Sequence, residues 1–257
     1  MGKIIAIVNQ KGGVGKTTTC VNVCCAIHEA GRRVLLCDAD PQGNATSGMG
    51  VPKAGVACGT YAALTGSCLP ENAVIRTAYG DLMPANGALA GAGIELVNTE
   101  NREFALKNVL EPLRDWYDYI FIDCPPSLEM LTLNAICAAD TLLIPVQCEY
   151  LALEGLSDLI RTVRILRRSF NHDLEIEGVV LTMFDGRTNL SYQVAAEVKK
   201  YFKDKVYRTA IPRNVRLSEA PSHGKPVLAY ESSSRGSRAY RDLAEEILRR
   251  SERKEAL

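Results

Sequence analysis

A short apolar run, IIAIV, breaks at once into the glycine-rich stretch NQKGGVGKTTT and then into a segment of helical period. A strand that delivers a glycine loop to the start of a helix belongs in a sheet whose helices cross over its faces. Gly12, Gly13 and Gly15 let the backbone curl so that successive N–H groups face one concavity, with no side chain in the way. The start of the following helix adds positive potential to that concavity. Lys16 supplies a mobile cation for β- and γ-phosphates, and Thr17 offers a hydroxyl to Mg²⁺. The order departs from G-x-x-x-x-G-K-[ST], because Gln10 stands at the first glycine position. Lys11, in the same loop, has no role in that chemistry.

The same alternation continues along the chain. KIIAIVN is the first strand, and a helix follows from about 17 to 30, with Gly31 as its stop. RVLLCDAD, YIFIDCPP, TLLIPVQ and EIEGVVLTMF read as further strands, the last preceded by a helix over about 153 to 168. Their nearly continuous apolar character fits strands covered on both faces. The expected fold is α/β: a doubly wound, mostly parallel sheet flanked by helices, the P-loop NTPase fold, as one domain over residues 1–257. Residues 43–101 are rich in Gly, Ala and Thr and read as loops and short helices at the sheet edge. The last 20 residues read as a helix with Leu243, Ile247 and Leu248 on one face, fraying beyond Leu248.

No run of about 18 apolar residues is present, so no membrane-crossing helix is expected. The chain opens directly on its first strand, and a cytoplasmic location is the expectation. Nine cysteines form no CxxC pair, and several sit in apolar runs, so buried thiols are expected rather than disulfides or a metal site. The net charge is zero but unevenly spread. Residues 1–156 hold 10 Lys+Arg against 16 Asp+Glu, and residues 157–257 hold 20 against 14. Such asymmetry suits an anionic partner for the later part, although solvated helix faces would give the same count.

A triphosphate site also needs carboxylates at the ends of neighbouring strands. Asp38 and Asp40 follow VLLC, and Asp123 follows YIFI. Each ends an apolar strand and is expected on the carboxyl edge, where the glycine loop lies.

Together KGGVGKTT, LLCDADPQGNAT and FIDCPPS resemble the deviant-Walker ATPases of the ParA/MinD superfamily. The stretches RTNLSYQVAAEVKKYF and IPRNVRLSEAPSHGKPV narrow the resemblance to the ParA/Soj branch, which segregates chromosomes and plasmids. The resemblance runs from about residue 3 to 248. It implies a weak, Mg²⁺-dependent ATPase whose nucleotide loop comprises Lys11, Gly12, Gly13, Val14, Gly15, Lys16, Thr17 and Thr18. It further implies that Asp40 orients the attacking water, that Asp123 is the Walker B aspartate and that Asp38 supports the metal's water shell. Met183, Pro212 and Asn214 match adenine contacts. Lys11 matches the family's signature lysine, which reaches across an ATP-sandwich homodimer to the partner's phosphates. Gly12 is then expected to sit against the second subunit with no room for a side chain.

ParA/Soj proteins bind double-stranded DNA without sequence preference, and Arg187 and Arg216 match the arginines used for it. Lys199, Lys200, Lys203 and Arg235 are candidates to extend that patch, with a solvated helix face as the competing explanation. The implied partner is a ParB-type centromere-binding protein, and the implied location is the nucleoid. Three rivals share the fold. A MinD-like membrane-cycling ATPase needs a terminal helix with a bulky apolar face, which RRSERKEAL does not offer. An iron–sulfur carrier needs cysteine ligands at a dimer axis or in a CxxC. A ParA-like positioner of another cargo would share the chemistry and differ in partner.

Overall fold

Strand β1 (Lys3–Ile7) lies inside the sheet, hydrogen-bonded on both sides. The computed structural model describes residues 1–96, 99–149 and 152–255. The other strands are β2 (Val34–Asp38), β3 (Ile75–Thr77), β4 (Gly80–Met83), β5 (Tyr119–Asp123), β6 (Thr141–Gln147) and β7 (Glu175–Thr182). They form one seven-stranded sheet in the order β3-β4-β2-β5-β1-β6-β7, parallel throughout except for β3 against β4. The helices are α1 (Lys16–Glu29), α2 (Asn44–Gly48), α3 (Thr60–Leu64), α4 (Leu89–Glu95), α5 (Ala105–Leu110) and α6 (Met130–Ala138). They continue with α7 (Ala152–Ser169), α8 (Asn189–Phe202), α9 (Val215–Glu219), α10 (Val227–Tyr230) and α11 (Arg235–Glu255).

The continuous apolar strands are explained by two cores, one on each face. Ile4, Ala6 and Val8 of the first strand region join one core with α5, α6, α7 and α8. Ile5 and Ile7 point the other way, into a core built with α1, α10 and α11. Leu35 and Cys37 alternate with Val34 and Leu36 in the same manner, as do Ile120 and Ile122 with Tyr119 and Phe121. Each fully buried aliphatic contributes about 1.5–3 kcal/mol, so the strands are held from both sides. Gly31 stops α1 with φ at +81°, a conformation costly for other residues.

Three expectations from the sequence are corrected. Residues 43–101 contain β3 and β4 as well as loops and short helices. These strands are three and four residues long, and one face of β3 is exposed, so they carry little apolar pattern. Helix α11 does not fray just beyond Leu248 but stays helical to Glu255. Ser251 is buried and accepts a hydrogen bond from Lys3 Nζ at 3.4 Å, while Glu252 meets Arg32 at 3.1 Å, and these contacts fix the last turns. Ala256 and Leu257 lie outside the described residues. Finally, Cys58 and Cys68 are joined as a disulfide, with Cα atoms 6.0 Å apart. The other seven cysteines are buried free thiols, as expected.

Gly178, in β7, lies against the Tyr207 ring, and a Cβ there would also stand 2.9 Å from the Lys205 carbonyl oxygen. Gly178→Ala is therefore expected to cost about 1–3 kcal/mol of stability in urea unfolding. Gly93→Ala, with open space around the added methyl, should leave stability unchanged or raise it slightly.

Candidate active site

The glycine loop leaves the carboxyl end of β1 and is tied down on both sides. Val8 N donates to the Leu143 carbonyl at 3.1 Å, and Asn9 Nδ2 donates to the Pro145 carbonyl at 2.7 Å. Asn9 Oδ1 accepts from Lys11 N at 3.0 Å, and Thr182 Oγ1, at the end of β7, donates to the Val14 carbonyl at 2.8 Å. Gly13 and Gly15 take φ of +74° and +90°, which only glycine adopts without strain. No side chain caps α1, so its first N–H groups face the loop's concavity. A Cβ at Gly12 or Gly13 would meet nothing within 4 Å. The cradle is open, and within one chain nothing crowds Gly12; the expected crowding there would have to come from a second subunit.

Lys16 is buried, and its ammonium donates to the Lys11 carbonyl at 3.2 Å. Burial lowers its pKa from the ordinary value, opposed by the carboxylates of Asp123 and Asp40. Asp38 and Asp123 are directly paired in register at the ends of β2 and β5, and Ile7 at the end of β1 pairs with Asp123 from the other side. Both acids are fully buried. Asp38 is well satisfied: Oδ2 accepts from Thr46 N at 2.8 Å and Thr46 Oγ1 at 2.7 Å, and Oδ1 from Asp40 N at 3.2 Å. Burial still pushes its carboxyl up to about 6. Asp123 is different. Neither of its oxygens has a hydrogen-bond partner among the described residues. Burial, then Asp38, raises its pKa well above the carboxylate range, while the nearby Thr17 hydroxyl and Lys16 act in the opposite direction. Asp40, two residues past β2, is buried and accepts from Gln42 N at 2.9 Å.

Two orphaned carboxylate oxygens beside a threonine hydroxyl fit a divalent cation better than they fit an empty core. Among the described residues no group of three or more His, Cys, Asp or Glu side chains is arranged to cage a metal. That suits Mg²⁺, which keeps several waters and takes few protein ligands alongside phosphate oxygens.

Beside the loop lies a cavity of about 260 Å³ lined by Gly15, Thr18, Thr182, Met183, Pro212, Asn214 and neighbours. All three residues matched to adenine contacts by sequence are on its wall. Met183 has φ of +52°, a strained conformation for its type and one enriched at ligand sites. Asn214 caps α9, its Oδ1 accepting from Arg216 N at 2.9 Å.

Lys11 points away from its own loop and pairs with Glu149 at 3.5 Å; Arg213 reaches the same carboxylate at 3.9 Å. Arg187 is 89% exposed and makes a two-pronged pair with Asp185, at 2.9 and 2.8 Å, which holds the acid down at about 2. Arg216 pairs with Glu219 at 2.7 Å. Lys199 and Lys203 line a different cleft, together with Glu177, Asp242 and Glu245 among others. Lys200 and Arg235 are exposed. The sequence did not single out Thr46, Thr182 or Glu149. Thr182 and Glu149 act on residues far along the chain, Val14 and Lys11, while Thr46 folds back through a turn onto Asp38.

The unpartnered carboxylate has a measurable cost. A folded-state pKa above the unfolded value means that stability is present at low pH and is lost as pH rises through the folded pKa. Asp123→Asn removes that loss and should raise the stability of nucleotide-free protein at pH 8 by about 1–3 kcal/mol. The gain over the parent should shrink toward pH 5, as read by urea unfolding at both values.

The AAA domain family matches residues 2–176. The sporulation initiation inhibitor protein Soj of Bacillus subtilis is 59% identical over 249 residues, covering 96% of this chain and 98% of Soj. The chromosome partitioning protein ParA of Myxococcus xanthus is 50% identical, covering 97% and 89%. Among solved structures, cobyrinic acid a,c-diamide synthase from Mycobacterium smegmatis with bound ADP and magnesium superposes with a TM-score of 0.86 at 38% identity, covering 98% and 96%. With its phosphate-type loop, its paired strand-end acids and these likenesses, the chain belongs to the Soj/ParA family of chromosome-partitioning ATPases.

Proposed function

We propose that this chain binds and hydrolyses ATP with Mg²⁺, forms a homodimer around two nucleotides, and in that state binds DNA without sequence preference. The observation that carries this reading is the division of labour between the two lysines of one loop. Lys16 turns inward over its own cradle, whereas Lys11 turns outward to Glu149. A relative named as a chromosome partitioning protein and a neighbour holding ADP and magnesium support it.

The cradle of Gly12, Gly13, Val14 and Gly15 receives the phosphates on main-chain N–H groups, and Lys16 neutralises their charge. Its pKa is lowered by burial, and an arriving polyanion acts in the opposite direction, favouring the ammonium. Thr17 and Asp123 would hold the metal, with Asp38 behind them supporting its water shell. Bound there, Mg²⁺ would supply positive charge at the phosphate oxygens. Asp40, close enough to Asp123 to act on its charge, would orient the attacking water. Thr18, Met183, Pro212 and Asn214 receive the base in the lateral cavity.

Lys11 is the residue for the second subunit. Its pairing with Glu149 is half exposed and worth about 0–1 kcal/mol, so a phosphate outcompetes it readily. A cation supplied across an interface stabilises transferring phosphate only when the dimer exists, which couples assembly to hydrolysis. DNA is met by Arg187 and Arg216, which exchange Asp185 and Glu219 for backbone phosphates. A ParB-type centromere-binding protein is the proposed partner in stimulating hydrolysis, and the nucleoid the proposed location. Among the described residues no helix is long and apolar enough to cross a membrane.

Lys11→Ala is expected to leave ATP affinity within about twofold while cutting DNA-stimulated hydrolysis by about 10³-fold. Equal loss of both in titration calorimetry and phosphate-release assays would assign Lys11 to its own nucleotide instead. Arg187→Glu with Arg216→Glu should weaken DNA binding by about 10²-fold or more and flatten its salt dependence, with ATP-dependent dimerisation kept. Unchanged DNA affinity across a salt series would move the nucleic-acid surface elsewhere.

A further inference from the structure

Seven of the nine cysteines are buried; Cys58 and Cys68 alone are partly open to solvent. We propose that Cys58 and Cys68 form a reversible dithiol–disulfide site whose oxidation clasps the segment 58–68 around α3, beside the end of β2. The main chain brings the two residues together independently of the bond between them. Gly66 turns the chain back with φ of +73°, and Cys68 N donates to the Ala62 carbonyl at 3.1 Å, closing the C-terminal side of α3. Gly59 presses on the Pro84 carbonyl so closely that no Cβ would fit. Thr60 N donates to that same carbonyl at 2.8 Å. The Cα separation of 6.0 Å falls where disulfides form without moving the backbone. The Gly66 turn and the main-chain hydrogen bonds of Thr60 and Cys68 do not depend on the sulfurs, so they are expected to hold the two residues in place in the reduced form as well.

The other thiols do not compete. Burial pushes Cys25, Cys37 and Cys137 up to about 12, and Cys148 up to about 11, so they stay protonated and shielded from thiol exchange. The reaction needs an oxidant of the low-molecular-weight disulfide class, for which oxidised glutathione serves. One protein thiolate attacks it, forming a mixed disulfide and releasing one glutathione thiolate. The second protein thiolate then displaces the other glutathione. Two protein thiols lose two electrons and two protons, and one small disulfide becomes two thiols.

The clasped segment is not remote from the chemistry. Thr60 Oγ1, two residues from Cys58, donates to the Asp38 carbonyl at 2.7 Å. Closing the loop restricts the main chain that holds this hydroxyl, and so the position of the β2 end.

The test equilibrates the full chain in glutathione buffers of graded ratio, removes the glutathione rapidly by desalting, labels the free thiols of the native protein with a maleimide at neutral pH and maps them by peptide mass. The expected result is loss of both labels together on the segment carrying Cys58 and Cys68, reversed by reduced glutathione, with the seven buried thiols unlabelled in the native protein. Oxidised wild type should melt several degrees above the reduced form, and amide exchange over 58–68 should slow. Cys58→Ser and Cys68→Ser should melt like reduced wild type at every ratio. Persistent thiols in excess oxidised glutathione, stable mixed disulfides on either residue, or cross-linked dimers on non-reducing gels would overturn the site. A melting temperature and exchange rate indifferent to a formed disulfide would overturn the clasp.

Discussion

Asp38 and Asp123 stand side by side at the ends of adjacent strands, both buried, and Asp123 has no hydrogen-bond partner among the described residues. Two carboxylates in that position repel one another and resist ionisation. They persist because the surrounding structure determines their positions several times over: register across β1, β2 and β5, two hydrogen bonds from Thr46, and Lys16 brought in by the loop. Everything else about the site follows from that concentration of negative charge. It accounts for a lysine buried close by, for the choice of a hydroxyl at position 17, and for an open cradle where a metal–phosphate complex supplies the missing positive charge.

Much of this was legible in the residues. Apolar runs covered on both faces announced the parallel strands, and the aspartates ending two of those runs, Asp38 and Asp123, announced the carboxyl edge. The glycines announced the loop, and two of them do take the left-handed conformation. What escaped was of two kinds. β3, at the sheet edge, and β4, next to it, are short strands with polar residues such as Arg76 and Asp81, so neither carries a periodic signal. Thr46, Thr182 and Glu149 are chemically ordinary until folding sets them against Asp38, Val14 and Lys11. The Cys58–Cys68 pairing was hidden because spacing alone does not reveal a turn at Gly66.

A shared pattern links the exposed cations that the family resemblance singled out. Lys11, Arg187 and Arg216 each rest on a carboxylate of the same chain. Such surface pairs are weak and sensitive to salt. On the proposed reading they yield to a phosphate-rich surface, where many contacts act together. The cationic excess of residues 157–257 is accordingly less available than its count suggests. Groups such as Lys199 and Lys203 share a cleft with acids of α11.

Glu149 touches both Lys11, at the phosphate end, and Arg213, beside the cavity for the base. One carboxylate thus serves as a common counter-ion to the two ends of the cleft. On the proposed reading, an arriving nucleotide brings negative charge of its own and leaves Glu149 surplus at both. The side chain is then expelled toward solvent, on a half-exposed face. Filled and empty clefts would differ in the charge they display outwardly, so that occupancy becomes a signal a neighbouring molecule can sense before it touches the nucleotide itself.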